Sequence, residues 1–515
     1  MAGSVLGLFL AIATAASPFT HSSSCVACHN QVRTASGDDV PIASGWRGSM
    51  MANAARDPYW QAAVRRETLD HPQAAAAIQH ECAACHMPMV RFPEHRAGAQ
   101  TSVFANTATP LAMDGVSCSV CHQLTDRMSV NGDIDVDVTR REIAGPFAID
   151  AGRTRVMSSA SGFTPAQQTH LRSSMVCATC HTLFTHALTK DGRDAGQLPE
   201  QVPFLEWRHS AWRGERSCQS CHMPEVDAPI TSVLPQPRTA VSKHEFRGGN
   251  AFMQRILRTN AVALGVTAPA AELIAAETRT EEYSRGHAAR LDIDGASVVE
   301  GRAQFEIAIT NLAGHKLPTA YPSRRVWLHV SIRDAANAVV FESGALRPNG
   351  AIDGNDNDSD GARYEPHYRT VQRSDQVQIY EAILADAEGA VTTGLISAVR
   401  YVKDNRILPR GFDKSTAGKD IAVHGEAATD PDFVDLGDRI RYDVDLSGRS
   451  GPFVVEAELL YQPIAFRWAE NLRGVSSVES KRFAPMYDAA ANESATRLAM
   501  RTITVTGEAL PGAAP

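Results

Sequence analysis

The sequence predicts an α+β chain: an N-terminal, mostly helical half followed by a C-terminal antiparallel β-sandwich-like half. Two observations carry this reading. All ten cysteines fall between Cys25 and Cys221, in a stretch marked by short helical signals. Beyond about residue 286 there is no cysteine, and apolar residues alternate with polar ones at the period of half-buried strands. With 515 residues, 43% of them hydrophobic, the chain is long enough for roughly two to four domains and a large core. The expected organisation is a signal peptide over 1–20, a cysteine-rich domain over 21–250, a helical connector over 251–285 and the sandwich over 286–510.

The run from Val5 to Ser17 has the apolar core and small-residue end of a secretory signal. It is too short to span a bilayer, and no Lys or Arg precedes Arg33, so the usual basic start is missing. No other stretch is long and apolar enough for a membrane helix. The mature chain is therefore expected to be exported, extracytoplasmic and without a transmembrane anchor. A formal charge of -8 argues against nucleic acid and against an anionic membrane surface.

The cysteines form five pairs of one spacing: Cys25-Val-Ala-Cys28-His29, Cys82-Ala-Ala-Cys85-His86, Cys118-Ser-Val-Cys121-His122, Cys177-Ala-Thr-Cys180-His181 and Cys218-Gln-Ser-Cys221-His222. A single Cys-x-x-Cys could hold zinc, cycle as a redox pair or form disulfides. Here a histidine follows every pair. With 18 histidines in the chain, a random position is His about one time in thirty, so five such coincidences are not credible, and Cys-x-x-Cys-His is the covalent haem c attachment pattern. Residues three apart on a helical turn share a face, which lets both thiols meet one haem edge. The following imidazole then becomes the proximal iron ligand. Five covalent haems are expected, and with so many sites in so short a stretch the haems themselves would form much of the core.

Within this half Asp57-Pro58 is a helix start, and Pro72 to His86 reads as an Ala-rich helix. Two repeats are visible. Cys-His-Met-Pro closes both the second and the fifth motif, and Trp46-Arg-Gly-Ser is echoed by Trp207-Arg-His-Ser. The tryptophans are expected to pack on haem faces.

These residues resemble the multihaem cytochrome c superfamily that includes the tetrahaem cytochromes of hydroxylamine oxidation. Cys-His-Met-Pro, Asp114-Gly-Val-Ser-Cys118, Glu206-Trp207 and His244-Glu-Phe-Arg-Gly-Gly-Asn250 carry the resemblance, over about residues 20 to 260. It implies electron transfer with redox partner proteins, other cytochromes or a respiratory oxidoreductase. It also implies a distal role for His244, and for His315 in Asn311-Leu-Ala-Gly-His-Lys-Leu-Pro-Thr319, a loop between two strands that resembles loops reaching back to a haem. His170, His186 and His209 lie near the last two motifs and are further candidates; His80 and His95 flank the second. His21, His71, His287, His329, His367 and His424 are read as structural or surface residues. Met51 stands where related chains place a ligating His after Trp-x-x-Ser, while Trp212 occupies that place in the second copy and cannot ligate. Met51 is either a thioether ligand, which would raise that haem's potential, or padding against a haem face.

The connector reads as two helices, Ala251 to Leu264 and Ala268 to Thr278. Strands are expected around Phe305–Ile309, Leu328–Ile332, Val377–Ile379, Phe453–Tyr461 and Thr502–Thr506. A long excursion is expected over Tyr401–Phe412 and a helix over Ala489–Ala499. The acidic run Asp353–Asp360 spaces its oxygens as calcium sites do, yet position twelve from Asp356 is His367 rather than Glu, so calcium competes with a solvated turn. No glycine loop for nucleotides, nucleophile elbow or zincin helix is found. An electron carrier leads. The alternatives are an oxidoreductase acting on a small nitrogen or sulfur oxyanion at one open haem, and a subunit of a respiratory complex or cytochrome filament.

Overall fold

Short helices dominate the first half because the motifs recur too closely for long ones. The computed structural model describes residues 17–506, so the expected signal lies almost wholly outside the described residues. Longer helices form where the sequence offers a cap. Asp57 accepts the Tyr59 and Trp60 backbone N–H groups at 2.9 and 3.2 Å and starts the helix Pro58–Asp70. The Ala-rich segment opens with a 3-10 turn, Pro72–Ala74, and continues as the helix Ala75–His86, ending on the second motif. Apolar packing wholly within this half forms small clusters around Trp60, Val64 and Met87, around Phe92 and Val120, and around Val32 and Val241.

The C-terminal half holds two largely antiparallel sheets. One has the order Thr370–Val371, Gly437–Asp445, Arg302–Asn311, Ala289–Val299. The other has the order Val391–Thr392, Ile379–Ala385, Arg325–Arg333, Phe453–Gln462, Thr496–Val505; Val339–Ser343 pairs with Arg325–Arg333, and Arg400–Asp404 pairs with Ile379–Ala385. Phe305, Ile307 and Ile309 from the first sheet and Leu328, Val330, Val455 and Ala457 from the second meet in one core. Along Arg302–Asn311 burial alternates residue by residue, as its sequence does. Ile379–Ala385 is buried at every position, because other elements cover it on both sides.

A second core crosses the halves. Tyr59 and Ala62 of Pro58–Asp70, Phe252 and Ile256 of the helix Ala251–Thr259, Leu384 of the sheet, and Trp468 and Phe483 of the helices Phe466–Arg473 and Val478–Asp488 pack together. The connector's second helix runs Ala270–His287, past the expected end.

Three expectations are corrected. Residues 489–499 do not form a helix: the helix ends at Asp488, and the last strand begins at Thr496 rather than Thr502, its outer positions paired with Phe453–Gln462. The excursion after Tyr401 starts inside a strand, Arg400–Asp404. The acidic loop is an arginine-bound turn. Arg325 donates to both Asp358 carboxylate oxygens at 2.8 and 2.9 Å, Arg347 pairs with Asp353 and Arg363 with Asp356, and Arg467 donates to the Asn357 and Asp358 carbonyls at 2.8 and 2.7 Å. The oxygens that would bind calcium are thus already engaged by guanidinium groups.

Candidate functional site

All ten cysteines are half-buried, and none pairs with another in a disulfide. Helical turns present them: Ser23–Val26, Ala75–His86, Cys118–Cys121, Met175–Ala178 and Cys218–His222. The histidine of four motifs turns its Nδ1 onto a backbone carbonyl. His29 meets Ile230 O at 2.7 Å, His86 meets Ala54 O at 2.8 Å, His122 meets Ala144 O at 2.7 Å, and His222 meets Arg247 O. A carbonyl can only accept, so Nδ1 carries the proton and Nε2 keeps its lone pair, the state a metal ligand needs. Burial lowers the affinity of His29, His86, His122 and His222 for a second proton, taking His86 down to about 4. They are neutral at pH 7 and able to coordinate.

Two of these rings face a second imidazole. His244 lies 6.2 Å from His122 between ring centroids, with planes 13° apart. His315 lies 6.4 Å from His222, with planes 14° apart. Two metal–nitrogen bonds of about 2 Å each, plus the half-widths of two rings, span this separation. Both partners also direct Nδ1 at a carbonyl, Ser242 O at 3.0 Å and Lys316 O at 2.9 Å. The chain clamps them from the backbone. His244 N donates to Pro41 O at 3.0 Å, and a Cβ on Gly45 would sit 2.8 Å from His244 O, so only glycine lets the helix Ala43–Arg47 approach. The His315 loop seats Gly314 against Trp207 and Trp212. These protein groups fit haem c with imidazole ligation on both sides.

The other candidates are placed differently. His209 Nε2 bonds to Asp413 O at 3.0 Å, and its ring meets Phe412 edge-on at 4.7 Å. His170 Nε2 bonds to Leu124 O at 2.8 Å, leaving only Nδ1 free. His186 is exposed, with Nε2 on the Gln197 amide at 3.2 Å. His80 and His95 bond to each other at 3.0 Å. Met51 contributes its backbone: its carbonyl accepts the Val116 N–H at 3.0 Å, beside the third motif. Trp46 also bonds there, through Nε1 to Val116 O at 2.9 Å. Trp60, which sequence reasoning did not single out, stacks on His86 with centroids 4.1 Å apart.

Neighbouring sulfurs order the five motifs in space. Cys25 lies near Cys118, Cys85 near Cys180, and Cys177 near Cys218. Cys121 in turn lies near Cys177 and Cys180. Motifs one, three, four and five therefore form a contiguous series, with motif two joined to motif four. Gly132 reinforces that junction: its N–H donates to Thr179 O at 2.7 Å, and a Cβ there would lie 2.8 Å from Cys85 Sγ.

Buried carboxyls gather beside motif two. Glu67 accepts the Leu395 and Ile396 N–H groups at 2.8 and 3.3 Å, and Glu200 accepts the Thr185 hydroxyl. Burial pushes both up to about 7, and the Glu67 charge raises Glu200 further. The folded chain then holds protons that the unfolded chain has released above its ordinary carboxyl pKa of 4.5. Stability from these groups is full at low pH and lost as pH rises through about 7. Glu67→Gln is expected to melt higher than wild type at pH 8, by on the order of 1–2 kcal/mol, with no gain at pH 4.5. Melting curves at the two pH values check this.

One buried trio outside the motifs, His367, Asp430 and Asp438, has metal-like spacing. His367 Nδ1 accepts from the Gln378 and Asn405 amides at 2.9 and 3.1 Å, and backbone N–H groups of Tyr368 and Glu381 hold the oxygens of those amides. The proton is therefore on Nε2, aimed at Asp430 3.1 Å away. Metal binding there needs the opposite tautomer, so the hydrogen bonds make the trio a structural network.

Comparison with known proteins agrees with this geometry. Residues 24–123 match the family described as cytochrome c554 and c-prime. No curated protein matches. A penta-haem cytochrome c552 from Thermochromatium tepidum is similar in fold, with a TM-score of 0.52 and 16% identity, over 94% of this chain and 98% of that one. The five Cys-x-x-Cys-His turns, the two opposed imidazole pairs and the family match over residues 24–123 together support a multihaem c-type cytochrome with covalent haem c.

Proposed function

We propose that the protein is an exported pentahaem cytochrome that relays electrons between redox partner proteins. Bound haem c supplies reversible one-electron exchange at its iron. The chain's part is to hold the attachment sites in contact and to saturate the irons it uses for transfer. The observation that carries the reading is the pair of opposed imidazoles, His122 with His244 and His222 with His315, at separations that leave room for an iron and nothing else. An iron held from both sides exchanges electrons without binding substrate. The contiguous series of motifs supports the same reading, because a relay needs neighbouring sites.

One observation favours the oxidoreductase reading at motif two. Among the described residues no second imidazole faces His29, His86 or His181 in the manner of those two pairs, and only beside His86 do three acids, Glu67, Glu200 and Glu81, lie close to the motif's first thiol, Cys82. The experiment is EPR and optical titration of the holoprotein. A carrier gives only low-spin signals that cyanide and nitrite leave unchanged at pH 7. A high-spin signal that either anion converts would replace the carrier reading with the enzyme.

A further inference from the structure

The loop that carries His315 is fastened to the cytochrome half by four charged side chains. Glu206, on the helix Pro203–Arg208, lies twelve residues before Cys218. Lys316 follows His315, and Asp404 and Arg406 come from the end of the strand Arg400–Asp404 and just beyond. All four are buried, with exposures of 0% for Glu206 and Lys316, 1% for Asp404 and 5% for Arg406. Glu206 Oε2 accepts the Lys316 backbone N–H at 3.1 Å and the Thr319 hydroxyl at 2.5 Å. Arg406 Nη1 lies 2.9 Å from Glu206 Oε1, off the line of a hydrogen bond, so that contact is purely electrostatic. Asp404 completes the group: it takes two bonds from Arg406 at 2.8 and 2.7 Å and one from Lys316 Nζ at 2.7 Å.

We propose that Glu206 is a positioning residue for His315, holding the loop at the distance and angle from His222 that a shared iron requires, and lending that iron a fixed negative charge. The inference rests on the reading of His315 as a distal ligand. Two acids and two bases make the group neutral, an arrangement that tolerates burial only while complete. Both polar groups that Glu206 Oε2 binds, at positions 316 and 319, flank the ligand on one side. Trp207, next to Glu206, packs on Gly314 on the other side, and Ser210 Oγ donates to Gly314 O at 3.2 Å. The ligand loop is gripped at both ends by one helix and the turn after it. Removing the Glu206 charge also leaves a net positive charge beside His315, which favours the reduced iron.

The test compares Glu206→Gln, Glu206→Ala and Thr319→Val with His315→Ala in the haem-loaded protein, by EPR and by potentiometric titration. His315→Ala is expected to remove one low-spin signal. Glu206→Gln should keep that signal but shift its g-values, and should raise that haem's midpoint potential while the others stay in place. Glu206→Ala should lose part of the same signal. If Glu206→Ala does not fold, Glu206→Gln and Thr319→Val carry the test, since each removes one anchor and leaves packing nearly unchanged. The inference is overturned if His315→Ala removes the signal but the Glu206 variants leave that haem's g-values and potential at wild-type values. An unchanged spectrum in His315→Ala would instead sink the ligand assignment, and this inference with it.

Discussion

His244→Ala should turn one haem from low-spin to high-spin and raise its midpoint potential by on the order of 100 mV, since axial-ligand changes span about 0.8 V. The His244 ring stands 6.2 Å from His122 and nearly parallel to it. Its Nδ1 is committed to Ser242 O, so Nε2 is the nitrogen that faces the gap. Burial takes the imidazole down to about 3, so it stays neutral and coordinating across the working pH range. The backbone on both sides is held by Pro41 and Gly45, so the alanine variant should keep the loop in place and leave a cavity of imidazole shape. Added imidazole should then restore the low-spin spectrum, which separates ligand loss from unfolding. A variant that stays low-spin without imidazole would remove His244 from the ligand set.

Proximal and distal sites differ in how legible they are, and the reason is chain separation. Cys82, Cys85 and His86 lie on one helical turn, so spacing alone determines their relative geometry. His122 and His244 are brought together by contacts from Pro41 and Gly45, and no local pattern encodes these. His315 could be ranked only because its loop resembles others. His209 and His170 have much the same local sequence merit, yet each spends Nε2 on a backbone carbonyl. Hydrogen-bond partners of this kind are invisible in sequence, because any residue supplies a carbonyl.

In the β half, period-two alternation found Arg302–Asn311 and Phe453–Gln462, where one face is buried. Gly437–Asp445 carries the same signal, with Ile440, Tyr442 and Val444 pointing inward. It was absent from Ile379–Ala385, buried on both faces. The helix expected over 489–499 followed its alanines. Pairing with Phe453–Gln462 overrode that propensity, as tertiary context does when the alternative completes a sheet edge.

The acidic loop yields the largest stability effect expected of a single substitution here. Asp358→Ala should destabilise the β half by about 3–5 kcal/mol. Asp358 and Arg325 side chains are 3% and 1% exposed, so neither charge has water to fall back on. The carboxylate takes both Arg325 bonds, at 2.8 and 2.9 Å, and also the Ile352 N–H at 2.8 Å. Truncation leaves the guanidinium with only Gln462 Oε1 at 2.8 Å and Gly350 O at 3.3 Å. A buried cation without its counter-ion carries the full desolvation cost, whereas removing both partners does not. Arg325→Met combined with Asp358→Ala should therefore recover part of the loss, although the gap at Asp358 remains. At about 2–4 °C per kcal/mol for a unit of this size, the single variant should melt about 10 °C below wild type. Calcium should move neither melting temperature, because Arg325, Arg347, Arg363 and Arg467 already hold the loop oxygens. A calcium-dependent rise in the wild type would instead return the loop to the role its spacing suggests.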